Sequence, residues 1–162
     1  MKTFGVVGWK NSGKTGLMER LVAEITTRGL TVSTVKHAHH GVDVDQEGRD
    51  SHRHRQAGAS EVLLATPRRW ALMHELRGAA EPLLTDLLTK LTPVDLVLVE
   101  GFKRGAHDKI EVHRMATGQD LLAPSDPTIR AIASDVQVES HGLPLFALDD
   151  TKAIADFILA AP

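Results

Sequence analysis

Gly8-Trp9-Lys10-Asn11-Ser12-Gly13-Lys14-Thr15 is the stretch that decides the fold. It fits the pattern G-x-x-x-x-G-K-[ST] of a phosphate-binding loop (P-loop). The apolar segment 3–7 before it predicts a buried first strand, and the segment 16–25 after it predicts a helix with one apolar face. Strand, glycine-rich loop and helix in this order direct backbone N–H groups and the positive end of the helix dipole at one point. The stretch therefore predicts a binding site for a polyphosphate.

The residue types of this loop assign roles to its positions. Gly8 and Gly13 let the backbone turn and approach the phosphates without a Cβ in the way. Lys14 supplies a positive charge to the β- and γ-phosphates and is a candidate catalytic residue. The Thr15 hydroxyl is a natural ligand for the Mg²⁺ of a nucleotide. We expect Asn11 and Ser12 to complete the nucleotide-binding loop.

Length, charge and composition narrow the class of protein. The 162 residues predict a single nucleotide-binding domain over residues 1–162, long enough to bury a proper core. A net charge of -2 and few aromatic residues argue against nucleic acid as a partner. The chain has no cysteine, which excludes disulfides and thiolate metal sites and fits a cytoplasmic protein. Because the first strand starts at the N-terminus and no apolar run is long enough to span a bilayer, we expect neither a signal peptide nor a membrane partner.

The rest of the chain alternates predicted strands and helices. This alternation predicts an α/β fold of the P-loop NTPase type, with a mostly parallel sheet covered by helices on both faces. The predicted strands are 31–36, 61–65, 70–74, 95–101, 109–114, 128–133 and 143–147, and the predicted helices are 52–57, 80–91 and a last one capped by Asp149 or Asp150.

Two strand ends carry carboxylates that suit a nucleotide site. Segment 95–101 is the continuous apolar run of a central strand and ends in Glu100, where a Walker B strand usually has Asp. Glu100 is predicted to hold Mg²⁺ through water or to orient an attacking water, the alternative being an ordinary solvated strand end. Asp135 follows a late strand and could accept hydrogen bonds from guanine N1 and N2. The alternative for Asp135 is a Ser-Asp pair that starts a turn.

A histidine-rich loop follows the second strand. It contains His37, His39 and His40, with Asp43 and Asp45 nearby. Histidine and carboxylate ligands suit Zn²⁺ or Ni²⁺, but no second half-site with ligand spacing is present. We therefore favour a structural or substrate-contact role over a transition-metal site, with His37 and His39 as the candidate substrate contacts. We expect Asp45 to help hold Mg²⁺ or to shape the phosphate end.

Basic residues after the strands are candidates for binding an anionic second ligand. They are Arg49, Arg53 and Lys103, with Arg55 and Arg104 as further possibilities. An arginine fork matches a phosphate group, whereas the alternative is a solvated basic helix face.

Four blocks in this order resemble the molybdopterin-guanine dinucleotide biosynthesis protein B (MobB) family: the P-loop, Lys36-His37-x-His39-His40, residues 50–59 and residues 95–103. The resemblance implies a GTP-binding protein that depends on Mg²⁺ and hydrolyses GTP weakly. It also implies a homodimer that works beside a MobA-type guanylyltransferase and assists the attachment of GMP to molybdopterin, whose phosphate would be the anionic ligand. A second Thr is common in the family where this chain has Gly16, a change that lowers local helix propensity.

Three alternatives stay open at this stage. A small-molecule kinase on the same scaffold would show substrate-dependent loss of the γ-phosphate. A metal-insertion accessory GTPase would bind Ni²⁺ or Zn²⁺ tightly, although such proteins usually rely on a cysteine motif that this chain lacks. A pure binding module would hold nucleotide without turnover.

Overall fold

The computed structural model describes residues 1–38 and 43–162, in two compact units. Unit 1 comprises Met1–His37 and Leu88–Pro162, and unit 2 comprises Ala38–Leu87. The prediction of one domain stays a prediction. In chain order the elements are β1 (Lys2–Val7), α1 (Lys14–Thr27), β2 (Val32–Lys36), α2 (Asp50–Gln56), β3 (Glu61–Ala65), β4 (Trp70–His74), α3 (Leu84–Leu88), β5 (Leu96–Glu100), β6 (Lys109–His113), β7 (Ile129–Ser134), β8 (Leu145–Ala147) and α4 (Thr151–Ala160).

Unit 1 is built on a six-stranded sheet in the order β2-β5-β1-β6-β7-β8. Every neighbouring pair in this sheet is parallel. The strand before the P-loop, β1, lies in the middle, and β5 and β6 pair with it on its two sides. Because all carboxyl ends meet at one edge, the segments that follow β1, β5, β6, β7 and β8 lie along that edge. The predicted mostly parallel α/β sheet is confirmed.

The main core of unit 1 lies between the sheet and the helices α1 and α4. Leu17, Leu21 and Ile25 form the buried stripe of α1 that the spacing predicts, and all three are fully buried. They pack with Phe4 of β1 and with apolar residues of β5, β6, β7 and α4 in one continuous cluster. At about 25 cal/mol per Å² of apolar surface, this burial is the main force that holds α1 in place behind the P-loop.

The opposite face of β6 carries two buried charged side chains. Lys109 Nζ donates hydrogen bonds to Gly105 O (2.5 Å) and to the Thr128 hydroxyl. Glu111 accepts a bond from the backbone N–H of Leu122 at 2.8 Å and one from that of Ala123 at 2.8 Å. Residues 114–128, the segment between β6 and β7, therefore cover this part of the sheet and satisfy its charges.

Unit 2 contains an antiparallel hairpin of β3 and β4. Leu63 pairs with Leu72, and Ala65 pairs with Trp70. These four residues lie on one face of the hairpin, and all four are exposed. The other face includes Val62 and Met73, which are half-buried. A strand face that is exposed to solvent usually carries polar side chains, so this exposed apolar face departs from the usual pattern.

Several element boundaries differ from those predicted. The helix predicted over 80–91 is confined to Leu84–Leu88, because Pro82 lacks a backbone N–H and disfavours helical geometry in the residue before it. Helix α2 spans Asp50–Gln56 with Arg49 as its N-cap, so it begins two residues before the predicted range 52–57. The Asp150 cap of α4 is confirmed by a hydrogen bond from Ala153 N–H at 3.1 Å. Over residues 1–38 and 43–162, no helix has both the length and the apolar character needed to cross a membrane.

Candidate nucleotide site

The P-loop connects the end of β1 to the first turn of α1. Gly8 has φ +148° and lies against β6, where a Cβ would approach Val112 O to 2.3 Å. Gly13 is the N-cap of α1 in the left-handed region, at φ +98°. Position 8 therefore requires glycine because a Cβ has no space there, and position 13 requires it because the backbone is left-handed. The resulting turn places the backbone N–H groups that begin α1 at the carboxyl edge of the sheet.

Two polar residues of the loop support its role in anion binding. Ser12 is 1% exposed, and its hydroxyl has no hydrogen-bond partner within the described part of the chain. Asn11 has φ +64°, a conformation that Asn adopts more readily than most residues. A buried hydroxyl without a partner is unfavourable unless a ligand or water completes it. The loop is thus arranged for a polar ligand.

Lys14 is held in the loop as a partly buried cation. Its Nζ donates a hydrogen bond to Trp9 O at 2.6 Å. Burial lowers the pKa of Lys14, and nearby Lys103 and Lys36 lower it further, whereas Glu100 raises it. Positive charge therefore accumulates where the phosphates of a nucleotide would lie, and an anion there would relieve the repulsion.

Thr15 and Glu100 converge at the entrance of this loop. The Thr15 hydroxyl donates to Glu100 Oε1 at 3.3 Å, and Lys36 Nζ lies 3.4 Å from the same oxygen. A hydroxyl and a carboxylate are hard oxygen ligands of the kind that Mg²⁺ prefers. The Thr15 hydroxyl and the Glu100 carboxylate therefore fit the predicted magnesium ion. The Lys36 ammonium group already lies beside this carboxylate.

The turn after Glu100 brings an aromatic and a cationic side chain to the same edge. Phe102 has φ +49°, and its ring stacks on His37 with centroids 4.5 Å apart and planes 25° apart. Lys103 Nζ lies 4.4 Å from the centroid of the Trp9 ring, within the range of a cation–π contact. Trp9 Nε1 in turn donates to Asp120 O at 2.8 Å. Lys103 thus lies against the P-loop, and His37 packs on Phe102 at the end of β2.

A cavity of about 310 Å³ opens at the ends of β7 and β8. It is lined by Arg20, Arg114, Ser134, Asp135, Ala147, Leu148 and Asp149. Asp135 Oδ1 accepts a hydrogen bond from Met115 N–H at 3.0 Å, which fixes the carboxylate and leaves acceptor capacity for another donor. The residue predicted to read the base therefore lines a cavity on the same sheet edge as the P-loop.

Unit 2 contains Asp45, Arg49, Arg53 and Arg55, whereas Arg104 is an exposed residue of unit 1. His39 lies outside the described residues. Asp45 is not free: Ser51 Oγ donates to its Oδ1 at 2.8 Å, and Arg55 Nε donates to its Oδ2 at 3.3 Å. Arg49 donates to Gln46 Oε1 at 3.2 Å. Arg53 is largely exposed and lies 3.9 Å from Asp50. The magnesium role of Asp45 and the ligand roles of Arg49 and Arg53 stay predictions.

Arg55 is a structural residue of unit 2. Its guanidinium binds Asp43 at 2.9 Å, Asp45 at 3.3 Å and Glu75 at 2.8 Å, and the side chain is only 11% exposed. The hydrogen bonds to Glu75 and Asp43 raise the pKa of Arg55, whereas the backbone N–H of Asp45, followed by the Arg55 guanidinium, lowers the pKa of Asp43. Within the described ranges, no group of three or more His, Asp or Glu side chains is arranged to hold a metal ion.

Sequence reasoning missed Lys36, Trp9 and Arg114 as site residues. Lys36 ends β2, and Arg114 follows β6 directly, so both lie at the carboxyl edge that also drew attention to Lys103. Their position at the carboxyl end of a predicted strand could therefore have identified Lys36 and Arg114 as candidate site residues. Trp9 occupies a variable position of the motif, where the residue type carries no expectation.

The chain is similar to known proteins in both sequence and structure. The family model described as "Molybdopterin guanine dinucleotide synthesis protein B" matches residues 3–135. A molybdopterin-guanine dinucleotide biosynthesis adapter protein of Haemophilus influenzae is 40% identical over 160 residues, covering 95% of this chain and 85% of the relative. The protein of the same name in Escherichia coli is 36% identical over 156 residues, covering 93% and 87%. The crystal structure of Bacillus subtilis MobB is similar with a TM-score of 0.78 and 28% identity, covering 99% of this chain and 97% of that one.

The family match reaches from the first strand through the P-loop and Glu100 to Asp135. It therefore includes the elements of unit 1 that form the candidate site, and the relatives extend the similarity over nearly the whole chain. The chain belongs to the MobB family of molybdopterin guanine dinucleotide synthesis proteins.

Proposed function

We propose that this MobB-family protein binds GTP with Mg²⁺ and assists the attachment of GMP to molybdopterin, as a slow GTPase that delivers or holds nucleotide for a MobA-type guanylyltransferase. One observation carries the proposal: a P-loop and a cavity containing Asp135 lie on the same edge of one sheet in unit 1. The proposal thus assigns the phosphates and the base to separate places within unit 1. The names of the curated relatives, which are adapter proteins of this synthesis, support the pathway.

The phosphate end is assigned to residues of the P-loop. Gly8, Asn11, Ser12 and Gly13 shape the loop, and Lys14 neutralises the β- and γ-phosphates. When bound, Mg²⁺ would supply positive charge to the phosphates. Thr15 would hold the ion directly, and Glu100 would hold it through water or orient the attacking water. The Ser12 hydroxyl, which lacks a partner among the described residues, is available to the same anion.

Guanine selection is assigned to Asp135. Guanine presents two donors, N1–H and the N2 amino group, on the edge where adenine presents an acceptor and a carbon. A fixed carboxylate therefore favours guanine, whose two donors it can accept, whereas adenine offers it no donor on this edge. The hydrogen bond from Met115 N–H holds the Asp135 carboxylate in the fixed orientation that recognition of a base requires.

The second ligand is assigned to the cations near the loop. Lys103 is exposed and lies over Trp9, so its ammonium can meet an anion in front of the P-loop. His37 stacks on Phe102 beside it. The phosphate of molybdopterin is an anion that the ammonium group of Lys103 could bind. Arg49 and Arg53, in unit 2, are separate candidates for binding this phosphate.

We also propose that the protein forms a homodimer and is located in the cytoplasm. An isolated two-stranded hairpin is marginally stable, and Leu63, Trp70 and Leu72 are 61%, 65% and 47% exposed on one face of it. Burial of this apolar face against the same face of a second copy would cover all three side chains at once.

Calorimetry with GTP, GDP and ATP in the presence of Mg²⁺ tests the nucleotide proposal. We expect a clear preference for GTP and GDP over ATP, lost in Lys14→Ala and retained in Lys90→Ala, an exposed lysine outside the site. Asp135→Asn should remove the preference while leaving ATP binding unchanged. Preference for ATP in the unmodified protein would favour a small-molecule kinase, and no binding of any nucleotide would refute the proposal. GTP hydrolysis no faster than the uncatalysed reaction, both in the unmodified protein and in Glu100→Gln, would favour a binding module without turnover.

A further inference from the structure

The side chain of Arg114 lies against the phosphate-binding loop. Arg114 follows the last residue of β6, and β6 pairs with β1, the strand that leads into the loop. A Cβ built on Gly13 would meet Arg114 Nε at 2.9 Å and Arg114 Nη2 at 3.3 Å. The guanidinium therefore fills the space that the missing side chain of Gly13 leaves open, next to the first backbone N–H groups of α1.

The same side chain lines the cavity that contains Asp135. Arg114 thus touches the phosphate loop on one side and faces the proposed base site on the other. Its guanidinium makes no hydrogen bond and no ion pair within residues 1–38 and 43–162, although it lies on a rim with the carboxylates of Asp135 and Asp149. A guanidinium presents five N–H donors in a rigid fork, and such a group at a built cavity is available to an anionic ligand.

Arg20, the other arginine of this cavity, has a different role. Its Nε donates to the Thr151 hydroxyl at 3.0 Å, and its Nη2 donates to Leu148 O at 2.8 Å. Arg20 thereby joins α1 to the turn between β8 and α4, and two of its five N–H donors are committed to the protein. Of the two guanidinium groups that line the cavity, the one on Arg114 is left for a ligand.

We propose that Arg114 binds the α-phosphate of the nucleotide. The inference rests on the proposed function and adds a residue to it. A nucleotide with its terminal phosphates at Gly13 and Lys14 and its base at Asp135 must pass its ribose and α-phosphate between these two places. Arg114 lies there, and two parallel N–H donors match two oxygens of a phosphate.

This contact makes the affinity depend on the α-phosphate and not on the identity of the base. Asp135 reads the base, and Lys14 binds the terminal phosphates, so the three residues recognise three separate parts of the ligand. Charge-assisted hydrogen bonds of this kind change affinity by roughly 10- to 100-fold.

The test compares Arg114→Gln and Arg114→Lys with Arg130→Gln as the matched control. Arg130 is an exposed arginine of β7 that pairs with Asp108 at 2.7 Å, away from the carboxyl edge, so its replacement makes the same change in net charge. Dissociation constants for GDP and GMP are measured by calorimetry, and that for guanosine by competition. Thermal unfolding without nucleotide monitors the fold of each variant.

We expect Arg114→Gln to weaken GDP and GMP by the same factor, roughly 10- to 100-fold, and to leave guanosine and thermal unfolding unchanged. Arg114→Lys should retain part of the affinity, because the charge remains while the fork is lost. Unchanged GDP binding in Arg114→Gln would overturn the inference, as would equal weakening of guanosine. If Lys14→Ala abolishes binding while Arg114→Gln does not alter it, this inference alone fails. If the unmodified protein binds no nucleotide, the proposed function and this inference fail together.

Discussion

Replacement of Glu111 tests whether the segment between β6 and β7 is held by a single buried carboxylate. Glu111 is fully buried and accepts hydrogen bonds from the backbone N–H groups of Leu122 and Ala123. Glu111→Ala leaves both donors without this acceptor, at roughly 1–3 kcal/mol for each, while the desolvation of the carboxylate is no longer required. We expect a net loss of about 2–4 kcal/mol in the free energy of unfolding, which lowers the melting temperature by roughly 5–15 °C for a chain of this size.

The pH dependence of this effect has a defined sign. Burial raises the pKa of Glu111 above its ordinary value of 4.5, despite the opposing bonds from Leu122 and Ala123. Between the ordinary and the raised value, the folded protein binds a proton that the unfolded chain releases. The contribution of Glu111 to stability is therefore fully present below the ordinary pKa and decreases as the pH rises through the raised one.

Urea unfolding at several pH values between 4 and 8 measures both effects. The difference in unfolding free energy between the unmodified protein and Glu111→Ala should be largest at the acidic end. Glu111→Gln, which keeps one acceptor oxygen and cannot titrate, should lose less stability than Glu111→Ala. A difference that grows from pH 4 to pH 8, or a loss below about 0.5 kcal/mol, would refute the reasoning, since surface substitutions fall in that range.

Two further predictions concern the tryptophans and the hairpin. Trp9 lies in the P-loop, whereas Trp70 is 65% exposed in the hairpin. We therefore expect Trp70→Phe to keep a nucleotide-induced change in tryptophan fluorescence and Trp9→Phe to lose it. Loss of this change in Trp70→Phe instead would contradict the assignment. Leu72→Glu should weaken homodimers at least tenfold in sedimentation experiments, because a charge would be buried in the proposed interface. Ala71→Glu, an exposed site on the opposite hairpin face, should not, and equal weakening by both variants would argue against that face.

Much of unit 1 could be predicted because its signals are local. The P-loop motif fixes the order strand, loop and helix, and the apolar run of β5 identifies a strand buried on both faces. The spacing of Leu17, Leu21 and Ile25 identifies the inner face of α1. Each of these signals lies within a few residues of the element that it predicts, so tertiary packing has little opportunity to override it.

The remaining features depend on contacts between distant parts of the chain. Lys109 and Glu111 alternate with apolar residues and suggest a solvated strand face, yet both are fully buried because residues 114–128 return to bond them. Arg55 could be read either as a ligand contact or as a solvated cation, and the structure gives it three carboxylate partners instead. The position of Arg114 beside Gly13 likewise follows from the pairing of β1 with β6, which no local pattern encodes.

The three partners of Arg55 come from different parts of unit 2. Asp43 and Asp45 lie before α2, Glu75 follows β4, and Arg55 itself belongs to α2. Loss of the guanidinium from this cluster would leave three carboxylates without their shared positive partner, so opening of this unit is expected to be cooperative. Backbone amides of α2 and of the residues bonded to it would then exchange with solvent as one group, with an opening free energy separate from that of the six-stranded sheet. We therefore expect the guanidinium of Arg55 to determine which residues of unit 2 open together.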